Sequence, residues 1–190
     1  MSEFEFVQVT FAIILGLGVT EILRGLGEQI RARHYLRLYP LHVVASCVIL
    51  MAIMIGLWGL WFVKGVQWTF PQFLLQAAPT IALALAAHVI RADCAIDADS
   101  LYEQYFRNSG PAFLLLASVP LLTIVITFTR LDERPDDATN LAVITAARLL
   151  LAALGASMAF IKRPAYHWSV LGLIGVFMGW RVMAAVLELN

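Results

Sequence analysis

Apolar residues gather along this chain in six long runs separated by short polar stretches. The runs are Phe6–Ile30, Leu41–Val63, Phe73–Ile90, Pro111–Phe128, Asn140–Ile161 and Trp168–Leu189. A helix covers the bilayer hydrocarbon with about 20 mostly apolar residues. A backbone in lipid satisfies its own hydrogen bonds, so helices are the expected conformation of such runs. The pattern predicts an all-α polytopic membrane protein, a six-transmembrane-helix bundle in one domain. The connectors are short, so neighbouring spans are expected to pack antiparallel.

The longest connector, Ala92 to Gly110, carries a pattern of its own. Ser100 and Glu103 have capping-box spacing, and Leu101, Tyr102, Tyr105 and Phe106 form an apolar stripe. These residues predict a short cytoplasmic interfacial helix over Ser100–Arg107, ended by Asn108-Ser109-Gly110-Pro111. Pro79 and Pro120 fall inside spans, where each removes a backbone donor and is expected to bend its helix.

Composition agrees with the runs. Hydrophobic residues make up 61% of the chain and charged residues 14%, where soluble domains carry about 25% charged residues. The formal net charge is zero, so no basic field exists to attract nucleic acid. Cys47 and Cys94 are too few for a disulfide framework. The acidic start Met1-Ser2-Glu3-Phe4-Glu5 is unlike a signal peptide, so the first run is expected to be retained as a span.

Charge also predicts orientation. Arg24, Arg31, Arg33, Arg37, Arg91, Arg107, Lys162 and Arg163 fall on one side of the six-span map, and only Lys64, Arg130 and Arg134 on the other. Basic residues favour the cytoplasmic side of short loops. Both termini are therefore expected to be periplasmic, in a pattern similar to that of small bacterial inner-membrane proteins of six spans. Glu3, Glu5, Asp132, Glu133, Asp136, Asp137 and Glu188 make the outer face acidic. Trp58, Trp61 and Trp68 mark the outer boundary; Tyr35, Tyr39, Tyr166 and Trp168 mark the inner one.

The candidate chemistry lies in charges placed where charge is costly. Glu21 and Arg24 fall within the first run, Arg148 in the fifth and Arg181 in the sixth. A charge near the bilayer centre costs at least about 2.5–3.5 kcal/mol, so it usually faces the bundle and has a partner. At about 1.5 Å per residue, Arg148 and Arg181 lie roughly 13 Å from the outer surface and Glu21 roughly 20 Å. Glu21 is thus within reach of Arg24 and near the limit of reach of the other two arginines. Small residues accompany the charges: Gly18, Gly25 and Glu28 share the Glu21 face, and Ala152, Gly155 and Ala159 share that of Arg148. Gly172, Gly175 and Gly179 form a stripe on the sixth run. Three readings follow: an ion pair that fixes helix register, a conduction or binding site for an ion or small anion, or a site for another subunit.

His34, His42, His88 and His167 all fall near the cytoplasmic ends of their runs. His42 and His88 have the placement of a haem-ligating or proton-relaying pair, or of plain boundary histidines. Asp93, Asp97 and Asp99 suit a solvated turn better than a Mg²⁺ or Ca²⁺ site, and no resident cofactor or metal is expected. No P-loop, zinc-binding helix or nucleophile elbow occurs, so no enzymatic activity is expected. The leading expectation is a homo-oligomer in the lipid bilayer that passes a small ion or solute. Its rivals are an accessory or assembly subunit of a larger membrane complex and a haem- or quinone-binding redox protein.

Overall fold

The computed structural model describes residues 3–32, 39–63, 68–91, 101–129 and 138–187. All the regular structure among them is helical: α1 (Glu3–Ala32), α2 (Pro40–Gly59), α3 (Phe70–Ile90), α4 (Leu101–Thr129), α5 (Ala138–Phe160) and α6 (Pro164–Leu187). A 3₁₀ turn, Leu60–Val63, continues α2. Five stretches are long and apolar enough to cross a membrane: Phe4–Ala32, Pro40–Gly59, Phe70–Ile90, Leu101–Thr129 and Leu141–Phe160.

Local chemistry sets the helix starts. Pro40, Pro71 and Pro164 lie in the first turns of α2, α3 and α6, where the missing N–H removes no intrahelical bond. The Thr69 N–H donates to Gln72 Oε1 at 3.1 Å, half of a capping box before α3. The box proposed around Ser100 has its first residue outside the described residues.

α4 differs from the sequence expectation. Leu101–Arg107 is helical, but it does not form a separate interfacial helix ended at Asn108–Pro111. One helix of 29 residues runs from Leu101 through Pro111 and Pro120 to Thr129. The physical reason is burial. Leu101, Gln104, Tyr105, Phe106 and Ser109 are buried within the bundle, so the apolar stripe packs on protein and holds the first turns in register with the rest.

The helices pack around α2, which touches α1, α3, α4 and α6; α4 lies between α3 and α5. In α1 the buried residues Val7, Phe11, Leu15, Gly18, Ile22, Gly25, Gln29 and Ala32 recur every three or four positions, one face of a helix. Large apolar side chains crowd the outside as well, among them Leu17, Phe70, Val143, Phe160, Val176 and Trp180. Such a surface is foreign to water and suited to lipid.

Two glycines mark close helix contacts. A Cβ on Gly18 would lie 3.0 Å from Ile53 Cδ1 and 3.2 Å from Ala84 Cα. One on Gly155 would lie 3.1 Å from Ala117 Cβ. The small faces of α1 and α5 therefore do let α3 and α4 approach closely. The stripe on α6 does not: among the described residues, nothing lies within 4 Å of a Cβ placed on Gly172, Gly175 or Gly179.

Candidate functional site at one end of the bundle

α1, α3 and α5 finish at the end of the bundle where α2, α4 and α6 begin. Most of the described polar side chains with long-range partners gather there, in two groups. The first joins α1 to α3. Glu21 Oε2 accepts from Arg91 Nη1 at 2.9 Å, and Glu21 Oε1 lies 3.5 Å from His88 Nδ1. Arg91 is the residue that ends α3. Glu21 lies about one turn beyond Gly18, which abuts Ala84 and Ala87 of α3. Seen along its own run Glu21 looks deep; seen against α3 it is level with the last turn. The cost of burying its charge is reduced accordingly.

This group is not enclosed. The Glu21 side chain is 26% exposed, Arg91 20% and His88 61%. Arg24 pairs with Glu28, one turn along α1, at 3.1 Å, and is itself 61% exposed. Leu17, Leu23, Ile30, Ile81 and Leu85 are exposed on the same two helices. Arg24, His88 and the Glu21 carboxylate thus emerge on an outer surface of the single chain among apolar side chains.

The second group is buried. The His167 ring, fully enclosed, has Nε2 2.9 Å from the Ile161 carbonyl and Nδ1 2.7 Å from the Tyr105 hydroxyl. A carbonyl only accepts, so Nε2 carries a proton; with the ring neutral, Nδ1 accepts from the Tyr105 hydroxyl. Both ring nitrogens are satisfied, and the network ties α4 to the turn between α5 and α6. Tyr166 reinforces that turn with a 2.6 Å contact to Ser157 Oγ.

Tyr105 also meets His42 edge-on, with ring centroids 5.9 Å apart, and meets Tyr39 at 5.6 Å. His42 is enclosed, with Nδ1 3.0 Å from Gln29 Nε2, itself enclosed. Three atoms beside this contact, His42 Nε2, Gln29 Oε1 and the Tyr39 hydroxyl, are buried with no hydrogen-bond partner among the described residues. Burial, reinforced by Tyr102, holds the Tyr39 phenol above its usual pKa, so it stays a neutral donor. One histidine is therefore fully paired and the other half paired, on either side of one tyrosine.

Arg148 lies at the opposite end. Its Nη1 donates to Thr127 Oγ1 at 2.6 Å and approaches the Thr123 carbonyl at 3.3 Å. Thr127 Oγ1 in turn donates to that carbonyl at 2.8 Å. Thr127 is near the end of α4, so the arginine reaches from mid-helix toward the boundary, as long basic side chains in membranes do.

The residues singled out from sequence are thus distributed, not gathered. Glu21 meets Arg91 and His88, Arg24 meets Glu28, and Arg148 meets α4. Arg181 has its backbone in α6, and its side chain lies outside the described part. His42 and His88 have different partners on α1; one is enclosed and the other faces outward. Asp93, Asp97, Asp99 and His34 also lie outside the described residues. Sequence reasoning missed Arg91, Gln29, Tyr105 and Thr127. For Gln29 the signal existed: it continues the buried spacing Gly18, Ile22, Gly25. Compared with known proteins, the chain matches no family model, no curated protein and no solved structure.

Proposed function

We propose that this chain is a six-span inner-membrane protein of a bacterium, with both termini periplasmic, that forms a pathway for a small ion or solute between copies of itself. It is not an enzyme in this reading. One observation carries it: Glu21, Arg24 and His88 emerge on the outer surface of α1 and α3, among side chains suited to lipid. Even level with the last turn of α3, charge set among lipid-suited side chains is better covered by protein or water than by lipid. A second copy covers it and leaves a charged seam, in which Glu21, paired with Arg91, lies 3.5 Å from His88 and can exchange a proton with it. The open glycine stripe of α6 supports association of copies, because small residues admit a close second helix.

The same strip favours a second reading, in which a different membrane subunit supplies the cover and the chain is an assembly factor. Flux into liposomes separates the two. Purified protein should carry protons, alkali cations or small anions above the level of empty vesicles, and Glu21→Gln should change that flux. Flux no greater than in empty vesicles, together with a constant unlike partner on purification from native membranes, would favour the assembly reading.

A further inference from the structure

The turn between α5 and α6 borders a shallow, widely open hollow of about 820 Å³, lined by Phe160, Ile161, Lys162, Arg163, Ala165, Tyr166 and Ser169. That is the size of a small-molecule site, about 300–1,000 Å³. We propose that it is a headgroup site for an anionic phospholipid of the adjoining leaflet.

Three properties of the hollow point to that ligand. The first is charge. Its lining includes two cations and no carboxylate. Lys162 and Arg163 are both exposed and make no ion pair among the described residues. The second is amphiphilicity at a membrane boundary. The turn caps a helix apolar enough to span, Leu141–Phe160. Phe160 is 79% exposed beside the two cations, and Trp168 is exposed just beyond them. Apolar rings suit the glycerol and first acyl carbons, and the cations suit the phosphate. The third is rigidity. His167 grips the Ile161 carbonyl and Tyr166 grips Ser157, so the wall of the hollow is held before any ligand arrives. In the proposed orientation the turn is cytoplasmic, on the leaflet richer in anionic lipid. The site rests on the membrane reading of the chain and is independent of the ion pathway.

A basic side chain near an anionic surface strengthens attachment about fivefold, so loss of both cations should weaken retention about thirtyfold. Native mass spectrometry of the detergent-solubilised chain, titrated with phosphatidylglycerol or phosphatidylcholine, reads this directly. The wild type should keep one phosphatidylglycerol per chain in preference to phosphatidylcholine. Lys162→Gln with Arg163→Gln should abolish that preference. Lys162→Arg with Arg163→Lys, which keeps both charges, should retain it. Arg107→Gln, at the same end but outside the hollow, should change it less than twofold. Equal retention of both lipids by the wild type would overturn the proposal. So would undiminished retention by the Gln pair, an equal loss with Arg107→Gln, or displacement of the lipid by millimolar inorganic phosphate.

Discussion

Tyr105→Phe isolates what the buried polar network contributes. The change removes one oxygen and leaves the ring, so the edge-on contacts with His42, Tyr39 and His167 survive. What it takes away is the 2.7 Å bond to His167 Nδ1. His167 is fully enclosed, and its other nitrogen is already engaged with Ile161, so the orphaned nitrogen cannot turn to water without losing that second bond. A buried acceptor left unpaired costs about 1–3 kcal/mol. Side-chain hydrogen bonds in membrane bundles average nearer 0.6 kcal/mol with a ceiling of about 1.7, because the unfolded reference in lipid finds other partners. The lower range should govern the bond itself and the upper range the stranded nitrogen, so we expect about 1–2 kcal/mol. For a chain of this length that is a fall of about 2–8 °C in melting temperature. Thermal unfolding in detergent, followed by circular dichroism, measures it. The matched comparison is Gln29→Leu with His42→Leu. That pair already holds two unpartnered buried atoms, so removing both residues should cost less than removing the Tyr105 hydroxyl. A neutral Tyr105→Phe, or a Leu pair far more costly than it, would show that burial and pairing do not control stability at this end of the bundle.

Other changes test other contacts. Glu21→Gln and Arg91→Leu should each destabilise the chain, and their double mutant should recover about 0.5–1 kcal/mol by thermal unfolding, the modest coupling of a partly exposed pair. Strict additivity would deny the α1–α3 bridge. Gly18→Val should cost about 1–3 kcal/mol because the Ala84 backbone cannot yield, whereas Gly175→Val should leave the single chain's stability unchanged and weaken only its self-association, read by light scattering in detergent. In a background without Cys47 and Cys94, a cysteine at Tyr102 should react with a polar maleimide from the cytoplasmic side, and one at buried Gln104 should resist it. The reverse pattern would restore a surface helix over Ser100–Arg107.

The apolar runs predicted the helices closely because burial in lipid leaves the backbone little choice. α1 and α3 begin within three residues of their runs and end within two. The exception is instructive. Asn108-Ser109-Gly110-Pro111 reads as a break by local propensity, yet the helix passes through it because Tyr105 and Phe106 are anchored in the bundle, and no local rule carries that information. The small faces of α1 and α5 were legible from their spacing, and Gly18 and Gly155 pack as such faces should. Charge partners were legible only in part. Depth counted along one helix placed Glu21 near mid-bilayer, but helices are offset along their axes, and the end of α3 stands beside it. Arg91, at first sight a loop charge that only orients the chain, is the nearest cation to that carboxylate. By spacing His42 pairs with His88 and His167 is only a boundary histidine; their actual partners are Gln29, on the helix before His42, and Tyr105, far from His167 along the chain.

Thr20 is exposed on α1, one turn before Arg24 on the strip that the proposed pathway uses. The most direct test of the account is ion flux through proteoliposomes containing Thr20→Cys as the sole cysteine, before and after reaction with a charged, membrane-impermeant thiol reagent. A charged seam between copies predicts that the thiol reacts and that flux falls severalfold once it has. Complete modification with flux unchanged, or a thiol that only a lipid-soluble reagent can reach, would contradict it: the strip would then face lipid or an unlike subunit, and α1 would line no pathway.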